Sequence, residues 1–320
     1  MREKLLLDIY ILEILEKYSS SKNRLNQKDI IYYLEKDYNI KVSRNTLSGY
    51  IGELKARKYV VGERGLYLNR LFSNVETKIL IESIISSKSI PESEMKTLLE
   101  KIRKMAEPES RKRYVNIFFA EELNRTDNLN VCAVLDRLEQ AIEMGKKVEI
   151  TSCNYNVNGI LEENRTKIVS PYYIVAEKGR YYLLCYSGRE DVEPRRIDRI
   201  CNVKILGENR FEINQMPKYM KTPFSLSSFM QEHIYMYSGE TERIKLCIRT
   251  ANIGDLIDWF GKDFRIIKQE NEKVVISLRA NVNVVYFWGL QYGEVVEILE
   301  PERLRKKVYE GALKIARKHQ

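Results

Sequence analysis

A short stretch beginning at residue 44 carries side chains suited to reading DNA bases. Arg44 can pair with guanine and Asn45 with adenine, each through two hydrogen bonds. Leu47, Ile51 and Leu54 follow helical spacing, so the helix that they predict turns its charged and small residues outward. The residues that we expect to contact DNA are Arg44, Asn45, Thr46, Ser48, Gly49, Lys55 and Arg64.

Two glycines on the same helix need an explanation. A glycine inside a helix costs about 1 kcal/mol relative to alanine, so Gly49 and Gly52 indicate the close approach of another backbone. That backbone belongs either to DNA or to a neighbouring helix. The basic run Lys55-Ala56-Arg57-Lys58 is equally open: it is either a phosphate contact or a solvated helix end.

The elements around this helix predict how it is presented. Helical spacing from Leu5 to Leu15 predicts a first helix, Asn26 is a cap for a second, and Ser43 is a cap for the third. Two β-prone runs then flank a glycine-rich turn at residues 62–65. Three helices followed by a hairpin predict a winged helix-turn-helix domain over residues 1–70, with the third helix in the major groove.

The charge distribution favours an anionic partner for this first domain. The formal net charge of the 320-residue chain is +9. Residues 1–70 carry 14 basic and 9 acidic side chains, and residues 301–320 carry 7 and 2, so the middle is nearly neutral. The basic excess therefore lies at the two ends.

Several catalytic chemistries are excluded by composition. The histidines are His233 and His319 alone, and the five cysteines form no C-x-x-C pair. Neither a phosphate-binding G-x-x-x-x-G-K-[ST] loop nor H-E-x-x-H occurs, and Asp255 with Asp258 is typical of a solvated helix turn. We therefore expect no catalytic residue, metal site or cofactor.

The expected compartment follows from the thiols and from hydropathy. An odd number of cysteines without a signal peptide is typical of reduced thiols in the cytoplasm, and no run of 18 apolar residues predicts a membrane span. We expect a cytoplasmic protein with no membrane partner.

The rest of the chain predicts three further parts, which makes an α+β multidomain protein. Residues 71–145 read as a helical linker, with helices over 75–106 and a further one capped by Asn130. Residues 146–210 read as a small β-barrel or curled sheet. Residues 211–320 end in a β-α-β-β-α-β order, as in a ferredoxin-like fold, and then a basic helix.

One set of motifs resembles a known family. Tyr181-Tyr182-Leu183 follows Gly179 and precedes Arg196-Ile197-Asp198-Arg199-Ile200, with Cys153-Asn154-Tyr155 upstream and Trp288-Gly289-Leu290 downstream. This pattern resembles the WYL-domain transcriptional regulators. Tyr181 stands where the family has tryptophan, and Arg195 where an apolar or aromatic residue is usual.

The resemblance implies that the 146–210 region is an SH3/Sm-like sensor barrel that controls a DNA-binding domain. By position it implicates Tyr155, Tyr182, Arg196 and Arg199 in binding an effector. Arginine forks and tyrosine rings suit an anionic ligand, such as a nucleotide, an oligonucleotide or a single strand. Arg196 and Arg199 reach one pocket only if the strand ends near Asp198; the alternative is that an arginine forms a salt bridge with Asp198.

Two functions remain open at this point. The first is a bacterial, ligand-responsive transcriptional regulator that binds double-stranded DNA as a homodimer, since two winged helices about 34 Å apart read a palindrome. The second is an RNA- or single-stranded-DNA-binding accessory module that modulates a nucleic-acid-guided or defence complex.

Overall fold

The computed structural model describes residues 6–108, 125–188, 191–220, 223–233, 236–237 and 239–320. The chain forms two compact units, Met1–Thr126 and Asp127–Gln320. Each unit combines helices with antiparallel strands, which confirms the predicted mixed α and β multidomain architecture. Residues 109–124 of the predicted 71–145 linker lie outside the described residues.

Three helices and a short hairpin open the first unit. Their bounds are α1 Leu7–Tyr18, α2 Gln27–Tyr38, α3 Arg44–Ala56, β1 Val60–Val61 and β2 Tyr67–Leu68.

Local capping explains where α2 and α3 begin. The Asn26 side chain accepts hydrogen bonds from the amides of Lys28 and Asp29, and the Asp29 carboxylate accepts one from the Asn26 amide. The Ser43 hydroxyl accepts the Thr46 amide at 3.1 Å. The caps predicted at Asn26 and Ser43 are therefore confirmed. Asn130 precedes the helix that begins at Val131, but its side chain makes no capping hydrogen bond.

The three helices and the hairpin share one apolar core. Ile11, Ile30 and Leu47 are completely buried within it, one from each helix. In the hairpin, Val60 pairs with Leu68 and Val61 with Tyr67.

Only glycine fits at the two ends of the hairpin turn. Gly62 and Gly65 both have positive φ, at +107° and +157°. A Cβ on Gly62 would lie 1.9 Å from the Gly65 carbonyl oxygen, and one on Gly65 would lie 2.7 Å from Cβ of Arg24. The backbone therefore folds too tightly here for any side chain.

Two more helices complete the described part of the first unit, α4 Asn74–Ser86 and α5 Glu92–Met105. Ser73 and Glu76 form a reciprocal capping box at the start of α4. Ile81 and Leu99 are buried between the two helices.

The second unit begins with a helix that packs on a five-stranded antiparallel sheet. The elements are α6 Val131–Glu143, β3 Lys146–Tyr155, β4 Leu161–Glu177, β5 Arg180–Tyr186, β6 Glu193–Arg196 and β7 Ile200–Asn209. The strand order is β6-β5-β4-β3-β7. Leu138 of α6 is fully buried against Ile150 and Leu183, so this helix shares the core of the sheet.

The other face of this sheet is covered by described residues of the segment that follows it, 213–220, 223–233 and 236, which we call the strap. The strap includes the short helix α7 Leu226–Glu232. Its Met216 and Phe229 pack with Tyr172 and Leu184 of the sheet.

A second antiparallel sheet closes the chain. Its elements are β8 Thr241–Arg249, α8 Ile253–Phe260, β9 Phe264–Glu270, β10 Lys273–Asn281, α9 Val282–Gln291, β11 Val296–Glu300 and α10 Glu302–Lys318. The strand order is β11-β8-β10-β9. Trp288 of α9 is fully buried against this sheet and is a packing anchor of its core.

Candidate nucleic-acid interface and ligand site

Three of the residues expected to contact DNA line one groove in the first unit. The groove has a volume of about 430 Å³ and lies between the start of α2, the exposed side of α3 and the β1–β2 turn. Arg44, Lys55 and Arg64 line it together with Lys28, and Glu63 is the acidic residue among its described walls. We call it the basic groove. Its four cations create a local surplus of positive charge on an exposed surface.

A hydrogen bond to α2 orients Arg44. Its Nε donates to Oε1 of Gln27 at 3.2 Å. The bond fixes the plane of the guanidinium group, and the bidentate contact that an arginine makes to guanine depends on that plane.

The other predicted α3 residues divide into two groups. Asn45, Ser48 and Gly49 are exposed on α3 but do not line the groove. The Thr46 hydroxyl lies 2.9 Å from the Ser43 hydroxyl, so Thr46 belongs to the helix cap. Sequence alone did not separate a helix cap from a base contact, because serine, threonine and asparagine suit both.

The space around the α3 glycines bears on the question that sequence left open. A Cβ built on Gly49 or Gly52 meets no heavy atom within 4 Å. Among the described residues, therefore, no helix packs on these glycines, and the face that they form is open to a partner.

The predicted effector residues lie in the second unit, around a sharp change in the backbone. Strand β6 ends at Arg196, and residues Ile197–Arg199 form one 3-10 turn before β7 begins. Arg196 and Arg199 could reach one pocket only if the strand ended near Asp198, and the strand does end there.

Asp198 holds two arginines. This carboxylate is only 2% exposed and accepts hydrogen bonds from Arg180 at 2.9 Å and from Arg196 at 3.0 and 2.6 Å. The ion pair between Arg196 and Asp198 was the alternative left open by the sequence. With two guanidinium groups on one carboxylate, the formal charge of this cluster is positive.

The two tyrosines lie beside these groups. Tyr182 on β5 is the direct cross-strand partner of Arg196 on β6. The Arg199 guanidinium lies 4.1 Å from the centre of the Tyr155 ring, a cation–π contact. The Tyr155 hydroxyl accepts the backbone N–H of Asp127 at 3.2 Å.

The pKa values reflect this environment. The hydrogen bond to Asp198 is the largest cause that raises the pKa of Arg196, and Tyr182 and Tyr155 also contribute. Burial raises the pKa of Tyr182 and of Tyr155 above the usual range, while nearby arginines act in the opposite direction. Both phenols are therefore neutral near pH 7. The Tyr155 hydroxyl is hydrogen-bonded to the Asp127 side chain, which also raises its pKa.

Sequence reasoning missed three of these participants. Arg180 lies two residues before Tyr182 on the same strand, so the period of a strand places both on one face; that signal was available. Lys28 lies in the first turn of α2, and this turn lines the basic groove together with Arg44 of α3. Asn128 donates to the Ile200 carbonyl at 2.7 Å, a tertiary contact without a local signal.

Comparison with known proteins agrees with this geometry. Residues 133–205 match the WYL domain family, a range that starts within α6 and ends in β7. Over 178 residues the chain is 22% identical to an uncharacterized HTH-type transcriptional regulator, YobV, of Bacillus subtilis (strain 168). This chain contains a WYL domain. The resemblance drawn from the Tyr181 and Arg196 motifs is thereby confirmed.

Helix α6 lies largely within the region that matches the WYL domain family. This helix was predicted at the end of the 71–145 linker, yet the WYL match includes most of it and Leu138 lies in the core of the sheet. The matched regulator covers 55% of this WYL-domain chain, and the chain spans about half of that regulator, 52% of its length.

Two solved structures share a distant likeness with the WYL-domain chain. One is the proteasome accessory factor B/C (PafBC) of Arthrobacter aurescens, with 14% identity, a TM-score of 0.30 and coverage of 96% of this chain and 48% of that one. The other is described as a CRISPR Cas-related protein, with 16% identity, a TM-score of 0.38 and coverage of 99% and 86%.

Two further searches concern the described residues alone. Within them, no three histidine, cysteine or acidic side chains are grouped so that they would hold a metal ion. Nor does any helix among them combine the length and the apolar character that a bilayer crossing requires.

Proposed function

We propose that this WYL-domain protein is a transcriptional regulator that binds double-stranded DNA through its first unit. The observation that carries the proposal is the basic groove, where Lys28, Arg44, Lys55 and Arg64 meet beside an open face of α3. Cations along a groove contact phosphates, and an arginine held in a fixed plane reads guanine. The relative named as an HTH-type transcriptional regulator supports the same role.

The finer fold descriptions belong to this proposal. In it, α1 to α3 with the β1–β2 hairpin act as a winged helix-turn-helix, and the hairpin turn that carries Arg64 is the wing. The five-stranded sheet is an SH3/Sm-like sensor barrel. The β11-β8-β10-β9 order and the intervening helices support a ferredoxin-like C-terminal part.

An Arg44 variant tests the DNA-binding role. We expect Arg44→Ala to weaken binding to a selected duplex by about 1–3 kcal/mol and to relax the base preference, because a bidentate base contact is lost. Duplexes selected from a random pool by the purified wild-type chain supply the probe, and gel-shift titration measures affinity. Lys78→Ala on α4, an exposed lysine outside the groove, is the control.

The outcome that contradicts this role is equally specific. Unchanged affinity and unchanged base preference in the Arg44 variant would remove α3 as the reader. Equal losses in the Arg44 and Lys78 variants would indicate attraction by net charge alone.

We further propose that an anionic effector binds beside the 3-10 turn at residues 197–199. Arg196 and Arg199 flank this turn, and each lies against a tyrosine, Tyr182 or Tyr155. An anion at this turn would meet the guanidinium groups of Arg196 and Arg199, with Asp198 as the carboxylate that holds Arg196. Asp127 and Glu177 are the other acidic groups that act on the two tyrosines. The tyrosine rings provide flat faces for a base.

Paired variants test this site. We expect Arg196→Ala with Arg199→Ala to reduce the affinity for ATP or for a short single-stranded DNA oligomer by tenfold or more, about 1.4 kcal/mol, while duplex binding persists. Calorimetry measures the first quantity and gel shift the second. Arg165→Ala on β4 is the control, since its side chain is exposed on another strand. Wild-type affinity in the double variant would overturn the site.

The accessory-module alternative keeps the same sensor residues but needs no operator. The Arg199–Tyr155 contact favours it in one respect, because stacked arginine and tyrosine also bind unpaired bases. A chain that binds single strands tightly while its first unit shows no duplex preference would support this alternative. We propose no catalytic step for either role.

Assembly and compartment complete the proposal. A homodimer would present two α3 helices about 34 Å apart to a palindromic site, and light scattering on the purified chain measures the mass that decides this. A transcriptional regulator acts where the DNA is, so we place it in the bacterial cytoplasm.

A further inference from the structure

A second concave site lies beside the strap in the second unit. This cavity has a volume of about 370 Å³, and its described walls contain none of Tyr155, Tyr182, Arg196 or Arg199. The volume falls in the range of pockets that hold small organic ligands. The effector site proposed above therefore does not account for it.

One wall of the cavity is aromatic and already ordered. The rings of Phe229 and His233 stack 3.9 Å apart and within 10° of parallel. Phe224 packs against Phe229 with ring centres 5.7 Å apart and meets Tyr219 edge-on at 5.2 Å. Flat faces held in this way suit a planar ring.

A hydrogen bond fixes the histidine within this wall. Nδ1 of His233 lies 3.0 Å from the Phe229 carbonyl oxygen, and both side chains are buried. Because a carbonyl only accepts, Nδ1 carries the hydrogen. The ring therefore has a set orientation, and its face contributes to the wall.

The polar side of the cavity is cationic. Lys218 of the strap and Arg279 of β10 line it, with the hydroxyls of Ser225 and Ser228. No acidic residue is among its described lining residues. Asp191, next to the lining, pairs with Lys218 and accepts a hydrogen bond from the Tyr219 hydroxyl. An ammonium and a guanidinium group with two hydroxyls match a phosphate or carboxylate group.

These two sides together define a ligand class. We propose that the cavity binds a small planar organic anion, with an aromatic ring against Phe224, Phe229 and His233 and a phosphate or carboxylate between Lys218 and Arg279. Such a ligand would join the strap to the C-terminal sheet, because Arg279 comes from β10 and the ring wall from the strap. It would also contact the same aromatic cluster in which Tyr182 is partly buried.

The experiment uses the full chain with defined probes. The four nucleoside 5′-monophosphates test a ring with a phosphate, benzoate tests a ring with a carboxylate, and inorganic phosphate tests the anion without a ring. Calorimetry is performed on wild type, Arg279→Met and Lys218→Met. Arg265→Met on the neighbouring strand β9 is the matched control, and Arg199→Ala reports on the other site.

We expect saturable binding of at least one ring-bearing anion and weaker binding of inorganic phosphate. Arg279→Met and Lys218→Met should each reduce affinity by tenfold or more, whereas Arg265→Met and Arg199→Ala should remain within twofold of wild type. Cooperative thermal unfolding of both cavity variants establishes that they fold.

Three results would overturn the proposal. These are no saturable binding of any ring-bearing probe, binding that neither cavity variant weakens, or binding that Arg199→Ala removes as strongly as Arg279→Met does. The last result would assign the ligand to the effector site and leave the proposed DNA-binding function untouched.

Discussion

At the scale of single residues, Asp198 organises the predicted effector site from inside. It is almost completely buried, and its carboxylate binds both Arg180 and Arg196. The motif around it was visible in the sequence, and so was the possibility of an internal ion pair. That one carboxylate joins arginines from two strands was not visible, because the contact depends on the pairing of β5 with β6.

Removing this carboxylate should destabilise the second unit. We expect Asp198→Ala to lower the free energy of unfolding by about 2–3 kcal/mol, since two partly buried guanidinium groups then lose their counter-charge. Urea titration followed by circular dichroism measures the change. Glu208→Ala breaks an exposed pair with Lys147 and should change stability far less than Asp198→Ala does. Equal effects in the two variants would mean that Asp198 has no special structural role.

At the scale of elements, the caps were the most predictable features and tertiary packing the least. Asn26 and Ser43 start their helices as expected because a cap depends on neighbours within a few residues. Strand β4 continues through Pro171 as one strand, with a change of register beside the proline. Proline interrupts a β-prone run in the sequence, but a strand can continue through a proline where a bulge shifts the register.

The strap illustrates what sequence patterns cannot reveal. Met216, Tyr219 and Phe229 follow neither the period of a helix nor that of a strand over the whole segment. They are buried because they pack on apolar residues of the five-stranded sheet, on the face opposite α6. The position of the strap on the sheet therefore depends on tertiary packing and not on a local sequence pattern.

Helix α3 allows a test in which stability and binding change in opposite directions. Gly49→Ala should raise the free energy of unfolding by about 0.5–1 kcal/mol, because the helix gains propensity and the new methyl group has open space. If DNA approaches this face closely, the same change should weaken duplex binding. Thermal unfolding and gel-shift titration measure the two effects.

A matched glycine separates the two effects. Gly254 in α8 also has open space around a Cβ, so Gly254→Ala should leave duplex binding unchanged. Duplex affinity that is unchanged in the Gly49 variant would show that the helix face is not part of the interface.

At the scale of the whole chain, the two basic ends are used differently. In α10, Arg303 pairs with Glu240 and Glu242, and Arg305 pairs with Glu297. Part of that charge is therefore neutralised within the second unit. In the first unit, the basic groove collects four cations against one acidic residue in its described walls.

Salt dependence should distinguish the two ends. Each phosphate contact contributes a slope of about −0.9 when the logarithm of duplex affinity is plotted against that of salt concentration. We expect Lys28→Ala and Lys55→Ala each to make the slope shallower by about 1, and Lys306→Ala on α10 to leave it unchanged. Gel-shift titration at several salt concentrations measures the slopes. A larger change in the Lys306 variant would move the phosphate contacts to the C-terminal helix.

The frame formed by Arg180, Asp198 and Arg196 has a practical consequence for anyone who wants to retune this protein as a biosensor. Asp198 is the buried partner shared by the two arginines, so replacing this carboxylate would damage the scaffold before it altered selectivity. Tyr155 and Arg199 contact each other through a ring face, which tolerates exchange more readily. A library of variants that probes the proposed effector site is therefore best built at these two positions, with Asp198 left intact.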